Sequence, residues 1–185
     1  MKGILLILSG PSGVGKDTLV NEWVEANPRV KRVVAYTTRA PREGEVDGTD
    51  YHFVDRETFD AMAERGEFLE HKLVYGNGYA TPFAELNELL AAGRVALLKI
   101  DIQGALEVMD KRPDAVTVFI LPPSEQELER RLRSRGTDSP EQIERRIKSV
   151  RDEIAVADRY QFRVVNDDIQ AAVGRLNFIV EKCTV

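Results

Sequence analysis

The run Ile4-Leu5-Leu6-Ile7-Leu8-Ser9-Gly10-Pro11-Ser12-Gly13-Val14-Gly15-Lys16-Asp17-Thr18 decides the fold. Its first part, Ile4–Leu8, is short and purely apolar, the pattern of a strand buried on both faces of a parallel sheet. The part from Gly10 to Lys16 fits the spacing G-x-x-x-x-G-K of a P-loop, and an amphipathic helix is predicted to begin near Lys16. The spacing has a chemical reason. Glycines let consecutive backbone N–H groups turn inward around a phosphate, and the helix N-terminus adds partial positive charge. Lys16 then reaches the β- and γ-phosphates. Gly10, Pro11, Ser12, Gly13, Val14, Gly15, Lys16, Asp17 and Thr18 are therefore the candidate nucleotide-phosphate site. One residue departs from the pattern, because Asp17 stands where Ser or Thr offers a hydroxyl to Mg²⁺. A carboxylate can still ligate Mg²⁺, but it sets a negative charge beside the phosphates.

Working outward, short apolar runs alternate with helical stretches along the chain. The expected strands are Ile4–Leu8, Val33–Tyr36, Phe68–Val74, Val95–Ile100, Val116–Leu121 and Phe162–Val165. Ser124 with Glu127 forms a capping-box pattern, and Ser139 followed by Pro140 and Gln142 marks a second helix start. This alternation reads as α/β, a mostly parallel sheet flanked by helices. The chain has 185 residues, 43% of them hydrophobic and 31% charged, which is globular composition for one domain. Its formal charge of −5 argues against a partner such as nucleic acid or an anionic membrane. Any bound anion must then be held by a local cluster of positive groups. The single cysteine, Cys183, forms no internal disulfide, and no run is long enough for a membrane span. A soluble, cytoplasmic protein is expected, a monomer or small homo-oligomer.

From Thr37 to about Tyr79 the strand–helix rhythm breaks, and an inserted subdomain is expected there. It contains Arg39 and Arg42, stiffened by Pro41 and followed by Tyr51, a set that suits a phosphate dianion. Arginine supplies planar forked donors that match phosphate oxygens, and a tyrosine hydroxyl adds another.

The stretch Thr37–Tyr51, joined to the P-loop, resembles the guanylate kinase family. The resemblance continues through Phe68-Leu69-Glu70-His71, Tyr75-Gly76-Asn77-Gly78-Tyr79-Ala80-Thr81-Pro82, Ile100-Asp101-Ile102-Gln103-Gly104-Ala105 and Val165-Asn166-Asp167-Asp168. It implies a P-loop NTPase core of about residues 1–36 and 93–185, a GMP-binding insert of about 37–92, and a helical lid of about 130–146. It implies transfer of the γ-phosphoryl group of ATP to GMP, and to dGMP, with Mg²⁺. Arg39, Arg42, Tyr51 and Tyr79 fall to the GMP phosphate, Glu70 and Thr81 to the guanine, and Asp101 beneath the acceptor. Asn166 joins the nucleotide site, and Asp17 with Asp101 are the candidate metal ligands. Arg131, Arg135 and Arg146 are the lid arginines that, with Lys16 and Arg39, would stabilise the migrating phosphoryl group. The Glu70 assignment has its own physical sense, since guanine presents N1–H and N2–H₂ side by side to one carboxylate.

Four residues depart from the family's pattern. Ala35 replaces a hydroxyl residue that helps read guanine, a loss of ~1 kcal/mol. Gly78 and Ala80 replace a tyrosine and a glycine, and Lys99 replaces an acidic residue on the strand that ends at Asp101. Asp17 has become acidic where Lys99 has become basic, so the two are expected to face each other beside the phosphates. Two alternatives stand beside the kinase reading. A non-catalytic guanylate-kinase-like module would use the acceptor cleft to bind a protein, with no need for Lys16 or the lid arginines. A related P-loop kinase acting on a ribose phosphate would not need Glu70.

Overall fold

Strand β1 (Ile4–Ser9) lies at the centre of the molecule, and its alternation explains the layering. Ile4, Leu6 and Leu8 pack into one hydrophobic cluster, and Leu5 and Ile7 into another on the opposite face. A strand buried on both sides needs helices on both sides. In the computed structural model, which describes residues 2–74, 76–134, 144, 147, 150 and 152–184, that is the arrangement.

Helix α1 (Lys16–Ala26) follows the P-loop, then β2 (Val30–Arg32), β3 (Tyr36–Thr37) and β4 (His52–Phe53). Helix α2 (Arg56–Glu64), the hairpin strands β5 (Phe68–Val74) and β6 (Asn77–Pro82), and α3 (Phe83–Ala91) come next. The chain continues through β7 (Val95–Lys99), α4 (Ile102–Lys111), β8 (Val116–Leu121), α5 (Glu125–Ser134), a 3₁₀ turn (Ala157–Arg159), β9 (Phe162–Val165) and α6 (Ile169–Lys182). The main sheet is parallel throughout, in the order β2-β7-β1-β8-β9. A second, mixed sheet runs β4-β3-β6-β5. The α/β class and the mostly parallel sheet expected from the sequence are both present.

Helices α1 and α6 cover one face of the main sheet. Trp23, fully buried, joins them by donating its Nε1–H to Asn177 Oδ1 at 2.8 Å. The other face is covered by α4 and α3, through Ala105, Val108 and Leu86. Helix α3, which the sequence reading groups with the insert, packs against β7 and β1 of this sheet. The Ser124 half of the capping-box pattern is present, with Glu127 N–H donating to Ser124 Oγ at 3.1 Å. Ser139–Gln142 lies outside the described residues.

The largest differences from expectation lie around the second sheet. The run Val33–Tyr36 is not a strand of its own. Val30–Arg32 pairs with β7, while Tyr36 and Thr37 leave for the second sheet. Strand β6 was not anticipated, because Gly78 and Pro82 weaken its strand signal. Its pairing with β5 supplies what local propensity does not. No helix among the described residues is long and apolar enough to cross a membrane.

Gly10 shows why the first P-loop glycine is required. Its φ is +153°, and an ideal Cβ would lie 2.5 Å from the Ile120 carbonyl oxygen of β8. Backbone cannot yield as a side chain would. Gly10→Ala is expected to cost about 2–3 kcal/mol of stability, read as a lowered denaturation midpoint with an unchanged m-value.

Candidate active site

The P-loop joins β1 to α1 through Gly15 in the left-handed region, φ 90°, and no side chain caps the helix. Its first N–H groups therefore face the loop, as an anion site requires. Lys16 Nζ donates to the carbonyls of Gly10 at 2.5 Å and Pro11 at 3.0 Å. Burial pushes the Lys16 ammonium down to about 8, against the pull of the Asp17 and Glu153 carboxylates. Glu153 itself accepts the Ser12 N–H at 3.2 Å, so a carboxylate already uses one of the loop's anion-binding donors. Asn166, at the end of β9 and 5% exposed, donates its amide to the Val14 carbonyl at 2.8 Å. The structure thus places Asn166 beneath the loop as a support.

Beside the loop, between the two sheets, lies a cleft of about 470 Å³. Arg39, Arg42, Tyr51 and Tyr79 line it together with Glu70, Ala35, Asp17, Lys99 and Asp101. A second cavity of about 700 Å³, lined by Gly10, Ser12 and Lys16, shares Val74 and Asp101 with the first. Two adjoining cavities with a P-loop lysine in one suit two phosphorylated ligands meeting near Asp101.

The basic part of the lining is built as a cluster. The Arg39 guanidinium lies 5.5 Å from the Tyr51 ring centre, and the Tyr51 and Tyr79 rings meet edge-on at 5.9 Å. Arg39 is forked onto Glu45, at 2.9 Å and 2.8 Å, and this pairing holds the Glu45 carboxyl below its usual range. The sequence reading passed over Glu45, because a carboxylate six residues from an arginine reads as solvated surface. Glu70, on the same lining, is 3% exposed. Thr81 Oγ donates to Glu70 Oε1 at 2.7 Å, while Oε2 is buried with no hydrogen-bond partner among the described residues. Burial pushes the Glu70 carboxyl up, only partly offset by the Thr81 bond and the Lys72 charge. A buried carboxylate with an unpartnered oxygen favours N–H donors.

The sequence profile of the guanylate kinase family matches residues 2–183. The chain belongs to the guanylate kinase family. It is 51% identical to the guanylate kinase of Aromatoleum aromaticum over 180 residues, 97% of this chain and 88% of that one. It is 44% identical to that of Clostridium perfringens over 186 residues, covering 100% and 86% of the two chains. The crystal structure of guanylate kinase from Anaplasma phagocytophilum superposes with a TM-score of 0.78 at 36% identity, covering 98% of this chain and 86% of that one. A shikimate kinase from Bacteroides thetaiotaomicron, at 18% identity and a TM-score of 0.53, shares the fold alone.

Within this guanylate kinase fold Gly78, Asp17 and Lys99 have physical explanations. At Gly78 an added Cβ would meet the Phe59 ring at 2.8–3.0 Å, so Phe59 of α2 fills the space a larger residue would need. Asp17 and Lys99 do face each other, and their side chains form an ion pair across the loop and β7. Burial alone would push the Asp17 carboxyl up, but the bond and charge of Lys99 bring it below its usual value. Asp101 is the N-cap of α4, accepting the Gly104 N–H at 2.8 Å, and it forms an ion pair with Lys72. Lys72 is the second residue that sequence reasoning missed. Its signal was its place two residues from Glu70, on the same face of β5.

The lid arginines fall outside this description. Arg135 and Arg146 lie outside the described residues, as does the Arg131 side chain. Their neighbours Arg130 and Arg133 are exposed and paired with Glu127 and Glu129 on α5.

The Asp17–Lys99 pair makes a direct prediction. Lys99→Asp should impair ATP turnover more than Lys99→Ala, because it sets two carboxylates together beside phosphate. Combining Asp17→Ser with Lys99→Asp should recover about 0.5–1.5 kcal/mol of the sum, a modest coupling because Asp17 is largely exposed. Strictly additive effects in kcat/KM would remove the coupling.

Proposed function

We infer that this protein transfers the γ-phosphoryl group of ATP to GMP, giving ADP and GDP, with dGMP as a second acceptor. The observation that carries the reading is the buried Glu70 carboxylate, with no hydrogen-bond partner at Oε2 among the described residues, in a cleft that Arg39, Arg42 and Tyr51 also line. One cavity then offers a carboxylate for the base and arginines for the phosphate of one nucleotide. The P-loop and Lys16 occupy the adjoining cavity, where the donor phosphates belong.

The chemistry asked of the protein is positioning and charge. The P-loop N–H groups and Lys16 orient the donor phosphates. Arg39, released from Glu45 or sharing it, and Arg42 hold the acceptor phosphate. No strong base is needed, since the acceptor phosphate is already anionic near neutral pH. The resemblance gives Arg131, Arg135 and Arg146 the task of surrounding the migrating group.

Mg²⁺, when bound, would supply neutralising charge to the nucleotide phosphates, with Asp17 and Asp101 the carboxylates that would hold it. Among the described residues no three His, Cys, Asp or Glu side chains gather as a metal cluster. Asp17 and Asp101 are each engaged by a lysine. The donor set therefore fits an ion carried by nucleotide phosphates and touched by one or two carboxylates, the usual habit of Mg²⁺.

A coupled assay with ATP and GMP, dGMP, AMP, UMP or ribose bisphosphate tests the function. GMP is expected to be the best acceptor. Turnover of the sugar phosphate alone, or of no acceptor, would overturn the reading in favour of the ribose phosphate kinase or the binding module.

A further inference from the structure

Lys72 has no part in the chemistry described so far, yet it stands inside the acceptor cleft. The pleat of β5 puts Glu70 and Lys72 on one face, and the ladder sets Glu70 opposite Thr81 and Lys72 opposite Tyr79. An ideal Cβ on Gly104 would lie 2.8 Å from Lys72 Nζ, 3.2 Å from Glu70 Oε2 and 3.5 Å from Asp101 Oδ1. Three charged ends thus converge beside Gly104. The Lys72 nitrogen is buried. Beyond its ion pair with Asp101, no acceptor takes its N–H groups in hydrogen-bond geometry among the described residues. An ammonium has three donors, so it has donors to spare.

The guanine edge explains what they are for. It presents N2–H₂, N1–H and O6 in a row: donor, donor, acceptor. A carboxylate at Glu70 takes the first two and leaves O6 in need of a donor. The Thr81 hydroxyl proton is already committed to Glu70 Oε1. Ala35 lines the same cleft with no hydroxyl to give. Lys99 is held by Asp17, and Arg39 by Glu45. Among the described residues, a cation that does lie beside Glu70 is Lys72.

We propose that Lys72 is a specificity-determining residue, donating from Nζ to O6 of the bound guanine while Glu70 accepts from N1 and N2. Adenine carries an amino group where guanine carries O6. Its N–H would point at an ammonium, a repulsive element that adds to the unpaired carboxylate. The proposal rests on GMP being the acceptor.

The test compares GMP with 2-aminopurine ribonucleoside monophosphate, which has hydrogen at C6, in the wild type and in Lys72→Met. The N1–H difference between the two acceptors is common to both enzymes and cancels in the ratio. The kcat/KM ratio of GMP to the analogue is expected to fall about ten-fold or more in Lys72→Met, mostly through the KM for GMP. The KM for ATP should hold steady, and Lys72→Arg should keep most of the selectivity. If the methionine variant does not fold, Lys72→Gln, a neutral donor, should give an intermediate ratio. An equal loss on both acceptors would mean that Lys72 acts only by holding Asp101, and would overturn the proposal, as would no change at all. Failure of the wild type to use GMP would instead overturn the functional reading, and would be seen before any variant is made.

Discussion

Replacing Lys16 with methionine is expected to lower kcat/KM for ATP by about 10²–10³-fold, with GMP affinity little changed. The magnitude is that of removing one preorganised charge from a developing phosphoryl transition state. The side chain sits where burial has already lowered its proton affinity, to about 8. A depressed lysine value means that the folded protein binds this proton less tightly than the unfolded chain does. Between about pH 8 and the ordinary value of 10.5 the unfolded chain therefore holds more protons, and the contribution of Lys16 to stability rises with pH. Nucleotide binding runs the other way. Phosphate oxygens favour the ammonium, so ATP binding just above pH 8 should draw a proton onto Lys16, and affinity should fall as pH rises further. Calorimetry in two buffers of different ionisation enthalpy reads that uptake directly. Wild-type protein should take up roughly half a proton per nucleotide, and Lys16→Met none. Equal uptake in both proteins would assign the proton elsewhere.

Much of this architecture is legible in the sequence because local pattern and tertiary context agree. The P-loop needs a buried strand before it and a helix after it, and Ile4–Leu8 and the stretch from Lys16 onward supply both. Phe68–Val74, Val116–Leu121 and Phe162–Val165 end as strands where their apolar runs end. The second sheet is less legible. Strands of two residues, Tyr36–Thr37 and His52–Phe53, carry no period to read, and β6 exists because β5 lies beside it. In the site, the charge exchange between Asp17 and Lys99 is legible because each residue departs from a pattern in the opposite sense. Lys72 and Glu45 are not, because each is an ordinary surface residue type until its partner's direction is known. Lys72 becomes informative once Glu70 is seen to face the cleft. Glu45 becomes so once Arg39 is seen to fork onto it.

Glu70→Gln should lower kcat/KM for GMP by about 10²-fold or more while leaving ATP affinity nearly unchanged. The variant is nearly isosteric, so the loss measures chemistry and not volume. Glutamine keeps one acceptor oxygen but turns its NH₂ toward a guanine N–H, where an acceptor had been, and it forfeits the charge in each remaining bond. The pH dependence separates this role from a structural one. Burial raises the Glu70 carboxyl above its ordinary value of 4.5. A raised carboxylate value means that the folded protein holds the proton more tightly than the unfolded chain. Its contribution to stability is therefore full below the unfolded value and fades as pH climbs through the folded one. Guanine donors favour the ionised form, so GMP binding expels the proton, and affinity should rise with pH across the same window. The acid limb of kcat/KM for GMP should then reflect two groups, Glu70 and the substrate phosphate with its own value near 6. In Glu70→Gln the phosphate limb alone should remain. An unchanged acid limb together with unchanged GMP turnover would move base recognition away from Glu70, and with it the reason for burying a carboxylate against Thr81.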